Sequence, residues 1–105
     1  MTMRTLVVPP AAQRDENAVQ MLSAWIAEQG LHCTLNIGMW HEDGTPEAPA
    51  WGILLADVVR HIANAIRDEY GTETDKTIDA VLQALQRELE DPTSKVKGGF
   101  HPGHT

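Results

Sequence analysis

The stretch that decides the fold is LHCTLNIGMW, residues 31–40, in which apolar and mostly polar residues alternate. Its odd positions, from Leu31 to Met39, are apolar, and the even positions from His32 to Gly38 are not. A period of two is typical of a β-strand with one buried face. Because the backbone groups of a lone strand need partners, another strand or a second chain must pair with it.

The residues before this strand predict one weak strand and one helix. Residues 4–8 (RTLVV) favour a short edge strand beside residues 31–40, and Pro9 and Pro10 end it because proline donates no N–H. Residues 15–29 predict a helix with Asp15 as N-cap and Gly30 as the residue after its C-terminus.

The residues after the strand predict a loop, two helices and a tail. Residues 41–50 contain Asp43-Gly44 and two prolines, which indicates a loop. Apolar residues at helical spacing predict helices over residues 51–70 and 73–90, and the second helix has a strongly acidic outer face. Residues 93–105 are rich in glycine and polar groups and predict a flexible tail.

Together these elements predict a small two-layer α+β domain over residues 1–92, followed by the tail. Three amphipathic helices would pack on a two-stranded sheet in the order β-α-β-α-α. Since two strands alone are only marginally stable, we expect the sheet to extend across a homodimer through the strand from Leu31 to Trp40, or the dimer to form through a helix face.

Composition narrows the classes of function. The 105 residues include 15 acidic and 8 basic side chains, a net charge of −7 that disfavours nucleic-acid binding. No segment is long and apolar enough for a membrane span or signal peptide, and the single cysteine fits a reducing compartment. We therefore expect a cytoplasmic protein without a membrane partner, with Cys33 as a core thiol.

A few residues are candidates for a binding site, and none forms a complete catalytic set. Asp57 stands four residues before His61, a spacing at which a carboxylate can orient an imidazole. His41 and Asp43 lie in a loop at the strand's exit, a common place for ligands. Trp40 can anchor an interface or pack within the chain on Trp51 or Trp25. The polar side of the strand adds Asn36; the candidate binding residues are thus Asn36, Trp40, His41, Asp57 and His61. The histidine spacing predicts no metal site, and no motif predicts a cofactor.

The segments LNIGMW and WGILLADVVRHIANA resemble a small family of bacterial proteins of about this length, catalogued as a domain of unknown function. The resemblance runs from Thr5 to about Phe100. It implies a soluble bacterial single domain and carries no catalytic residues.

The sequence favours a non-enzymatic protein–protein interaction or regulatory module that acts as a homodimer. One alternative is a small ligand-binding protein or enzyme that uses Asp57 and His61, or the loop from His41 to Asp43. Another is an acidic antagonist of a basic protein, which would use the acidic face of the helix over residues 73–90.

Overall fold

The computed structural model describes residues 3–93 and 97–102. In chain order its elements are helix α1 (Pro10–Arg14), strands β1 (Leu22–Ala27) and β2 (Gly30–Ile37), helices α2 (Met39–Glu42), α3 (Glu47–Tyr70) and α4 (Thr74–Glu90), and strand β3 (Lys97–Pro102).

The three strands form one mixed sheet in the order β1-β2-β3. β1 and β2 are an antiparallel hairpin that pairs Leu22 with Leu35, and β3 runs parallel to β2 and pairs Phe100 with Leu35. The α+β class is therefore confirmed, but within the described residues the sheet has three strands rather than two and there are four helices rather than three. Both edges of β2 are already hydrogen-bonded, so a dimer through that edge would have to displace β1 or β3.

The largest error concerns residues 15–29, where the prediction of a helix is wrong. This segment contains the whole of β1 and the turn that follows it, and helix α1 ends just before it. The hairpin turns at Glu28 and Gln29, whose φ angles are 51° and 64°. Two consecutive positive φ angles define a type I′ hairpin turn, which usually contains Asn-Gly. Residues 4–8, predicted as a strand, have no regular structure.

The remaining elements follow the predictions more closely. β2 confirms the predicted strand as far as Ile37, whereas Met39 and Trp40, predicted as its end, belong to α2. α3 and α4 confirm the two long helices. α3 begins at Glu47, since Pro49 is tolerated in a first turn whose N–H groups have no helical partners. The short helix α2 interrupts the predicted loop. The segment predicted as a tail contains β3, and residues 94–96 and 103–105 lie outside the described residues.

One glycine allows β3 to approach β2. Gly98 is paired with Cys33 and has a φ of 128°, and a Cβ added there would overlap the carbonyl oxygen of Cys33. Only glycine combines this backbone conformation with so close an approach.

Very little of the chain is fully buried. Among the described residues Ala63, in α3, is the one buried apolar residue, and it lies where α3 and α4 form an antiparallel hairpin. Contacts between elements are concentrated within the sheet and within that hairpin, with a smaller contact between α2 and α3. The helices therefore do not close over the sheet as the two-layer prediction requires.

The exposed area is correspondingly large. A compact monomer of 11.6 kDa is expected to expose roughly 5,800 Å², whereas this chain exposes 8950 Å². Its radius of gyration is 15.7 Å, against about 13 Å expected for a compact chain of this length. Among the described residues, none of the helices is long and apolar enough to cross a membrane.

We predict that Gly98→Ala destabilises the fold by about 1–3 kcal/mol, because the side chain strains the backbone and displaces β3 from β2. The matched control is Gly99→Ala in the same strand, where an added Cβ meets no atom within 4 Å. Urea unfolding measures both variants, and equal stabilities would contradict the close approach at Gly98.

At the end of α4, the backbone N–H and hydroxyl of Thr93 donate to the Glu88 carboxylate, at 3.0 and 2.8 Å. These bonds lower the pKa of Glu88 below its usual value, because they stabilise the charged carboxylate. Their stabilisation is present above the unfolded-state pKa and is lost as the pH falls through the folded-state pKa. Thr93→Ala removes the hydroxyl but keeps the backbone N–H, so we predict that it raises the Glu88 pKa only part of the way toward its usual value in a carboxyl NMR titration; an unchanged pKa would show that the hydroxyl bond does not contribute.

Candidate functional site

A groove runs along α3. Its volume is about 700 Å³, and its lining is mostly apolar. The α3 residues that line it recur at helical spacing, and Trp40 and Thr45 close one end. We call this surface the α3 groove; it is lined by Trp40, Thr45, Ala50, Ile53, Leu54, Asp57, Val58, His61 and Ile62.

The composition of α3 explains why this surface is apolar. Residues 50–59 (AWGILLADVV) contain a single charged residue, Asp57. A helix that is apolar on all sides is normally buried on all sides. Here α4 covers one side, while Ile53 stays 67% exposed and Leu55, Val58 and Ile62 are about 40% exposed.

The base of the groove is held by two contacts. The rings of Trp40 and Trp51 meet edge to face, with centroids 5.4 Å apart, which confirms the alternative in which Trp40 packs within the chain. Glu47 Oε1 accepts a hydrogen bond of 2.5 Å from the backbone N–H of Gly38. Gly38 has a φ of 102°, a conformation that favours glycine and turns the chain from β2 into α2.

The structure brings together three of the five predicted site residues. Trp40, Asp57 and His61 all line the α3 groove. However, the Asp57 carboxylate accepts a hydrogen bond from the guanidinium of Arg60, and both side chains are well exposed. An exposed ion pair of this kind contributes little to stability and does not orient the imidazole.

The other two predicted residues lie elsewhere. His41 is exposed on α2 and is not part of the groove lining, and Asp43 follows the end of that helix. Asn36 is only 5% exposed and belongs to a separate small cleft of about 210 Å³ with Gln20, Ser23 and Thr34. The five residues therefore do not form one site.

Three buried polar atoms of the described residues have no hydrogen-bond partner: Asn36 Oδ1, Glu47 Oε2 and Trp51 Nε1. Such atoms cost about 1–3 kcal/mol each when they stay unpaired. Two of them belong to the first two turns of α3, next to the Gly38 contact.

In the part of the chain that the structure describes, no three His, Cys, Asp or Glu side chains come close enough together to bind a metal ion. Cys33 is half-buried rather than fully buried. It shares a sheet face with Leu31, Leu35 and Ile26, since the register pairs Ile26 with Leu31 and Ala24 with Cys33. Ile26 is 81% exposed on that face.

Several groove residues were missed from the sequence. Ile53 was not singled out within the predicted helix, Ala50 was placed in the predicted loop, and Glu47, at the start of α3, was not singled out either. The signal that could have found them is the run from Ala50 to Val59, which is too uniformly apolar for a helix with only one partner.

The fold and the groove define a small α+β domain with an incompletely covered helical hairpin. The chain belongs to the family described as "Domain of unknown function (DUF5076)", whose model matches residues 5–93. The family resemblance found in the sequence is thereby confirmed.

One solved structure is similar to the chain along nearly its whole length. It is described as "Structure of a putative pyruvate dehydrogenase from the photosynthetic bacterium Rhodopseudomonas palustrus CGA009". It has a TM-score of 0.65 and 23% sequence identity, and the match covers 90% of this chain and 91% of that chain. At this identity the likeness shows the fold alone. No curated protein matches the chain.

We predict that Glu47→Ala destabilises the protein by about 1–3 kcal/mol, because it leaves the Gly38 N–H without its acceptor. The control is Glu47→Gln, which keeps an oxygen acceptor at the same place and should lose less. Thermal unfolding compares the three proteins. If Glu47→Ala were as stable as the parent, the Gly38 bond would not hold the base of the groove.

Proposed function

We propose that this protein is a protein–protein interaction module that acts as a homodimer, with the outer side of α3 as its interface. The observation that carries the proposal is the α3 groove, which leaves the apolar side of a long helix uncovered in a single chain.

The amount of exposed surface supports a large interface. The chain exposes roughly 3,100 Å² more than a compact monomer of its mass. Obligate dimers bury about 2,000–5,000 Å² in total over both partners and have apolar interfaces that resemble a divided core. Burial of half of this excess on each of two copies would give roughly 3,100 Å² in total, within that range. A second copy is therefore a partner of suitable size and chemistry.

The sheet gives a second apolar surface to the same dimer. Ile26 and Phe100, on the face that also carries Leu31 and Leu35, are 81% and 67% exposed. β1 and β3 form the outer edges of the sheet, so any extension of the sheet across the dimer uses one of them rather than β2. In this arrangement the helices and sheet of the two copies together form the two layers that one chain lacks.

A second candidate function is the binding of a small, mostly apolar ligand in the α3 groove. The volume of about 700 Å³ lies within the range of ligand pockets, and Asp57 and His61 would supply polar contacts. The two candidates compete for one surface. A dimer that covers the groove would exclude the ligand. If the protein is instead a monomer that binds an apolar probe such as a naphthalene sulfonate, that result favours the ligand-binding function.

We predict that the parent protein has a solution mass of twice 11.6 kDa and that Val58→Glu shifts it toward the single-chain mass. The reason is that a carboxylate at the centre of an apolar interface loses its hydration without gaining a partner. Light scattering across a concentration series measures the masses.

The matched control is Gln83→Glu, which adds the same carboxylate at an exposed position of α4 outside the groove and should leave the dimer intact. Ile53→Lys adds the opposite charge and should dissociate the dimer as Val58→Glu does. Circular dichroism verifies that the variants are folded. A parent protein of single-chain mass, or variants that all remain dimeric, would contradict the proposed interface.

A further inference from the structure

The N-terminal residues 3–9 form an arm without helix or strand, and every one of these residues is exposed. Leu6 is 96% exposed, Val7 88% and Val8 56%. Three consecutive exposed apolar residues are unusual on a protein surface and mark a segment that another surface covers. The family match begins at Thr5 and so includes this arm.

The end of the arm is held against helix α1. The Gln13 side chain donates to the Val8 carbonyl at 2.7 Å, and the Gln13 backbone N–H donates to the Pro9 carbonyl at 3.1 Å. Pro9 and Pro10 restrict the backbone at the start of α1 and prevent the arm from continuing as helix. The junction between the arm and α1 is therefore locally restrained.

We propose that the N-terminal arm of each copy lies in the α3 groove of the second copy. This inference rests on the proposed homodimer and names the segment that fills its apolar surface. The arm and the groove are both apolar and exposed in a single chain, so that docking one on the other would bury apolar surface on both.

The spacing and charge of the arm match the groove. In an extended segment Arg4, Leu6 and Val8 point to the same side at intervals of about 6.7 Å, close to the 5.4 Å rise of one helical turn. With Arg4 beside the Asp57 carboxylate, Leu6 lies near Ile53 and Val8 lies toward Trp40. Arg4 is the one charged residue of the arm, and it would lie beside the Asp57 carboxylate, the acidic residue of the groove, which the exposed Arg60 guanidinium also contacts.

The second copy is favoured over the same chain for two reasons. In the single chain Leu6 is almost wholly exposed while Ile53 is 67% exposed, so the arm does not cover its own groove. Exchange of an arm between identical chains also reduces the excess exposed area on both copies at once. It costs only the ordering of a few residues.

Disulfide trapping tests the exchange. In a Cys33→Ser background, which removes the native thiol, we prepare Leu6→Cys and Ile53→Cys as separate proteins, mix them to allow subunit exchange and oxidise them mildly. We expect a covalent dimer on a non-reducing gel, composed of one chain of each type as shown by mass spectrometry. The matched control pairs Leu89→Cys, which is 75% exposed on α4 outside the groove, with Ile53→Cys; it should yield at most a tenth of the product.

The outcomes separate this inference from the proposed function. A Leu6→Cys/Ile53→Cys double variant that forms its disulfide within one chain would overturn the exchange, as would equal yields for the test and control pairs. If the parent protein is a dimer by light scattering and no specific disulfide forms, the dimer stands and the position of the arm is wrong. If the parent is a monomer, both fail.

Discussion

The structure depends on a constraint set by α3: its N-terminal half is apolar on more sides than one chain can cover. α4 packs against α3, and Ala63 of α3 is buried, but in the described part of the chain Ile53, Val58 and Ile62 stay substantially exposed. Water around this surface is unfavourable in proportion to the apolar area exposed. The proposed homodimer would cover this surface with a second copy.

The sheet and the helical hairpin are connected by few contacts. In the described residues this link runs through α2, where Gly38 turns the chain, Glu47 accepts the Gly38 N–H and Trp40 meets Trp51. With so few contacts, the orientation of the hairpin relative to the sheet is weakly determined by the chain itself. A partner that packs on both surfaces would fix it, which connects the function of the module with the completion of its fold.

The sequence predicted the parts of the fold in which periodicity and local conformation agree. The alternation from Leu31 to Ile37 and the apolar spacing in α3 and α4 were sufficient to locate these elements. β1 was mistaken for a helix because Leu22, Trp25 and Ile26 also fit a helical face, and because Glu28-Gln29 lacks the usual residues of a type I′ turn. β3 was missed because Gly98 and Gly99 suggest a flexible segment, although Gly98 is needed for a close approach to Cys33. At the site, Trp40, Asp57 and His61 were found, but which of them meet depends on tertiary contacts, and Arg60 rather than His61 contacts the Asp57 carboxylate.

If the proposed homodimer is correct, folding of this chain is coupled to association with a second copy. The most direct test is the midpoint of thermal unfolding measured over about a hundredfold range of protein concentration. Because the dimer forms from the folded chain and not from the unfolded one, mass action predicts that the midpoint rises with concentration. A midpoint that is independent of concentration, with a cooperative transition of the single chain, would contradict the account.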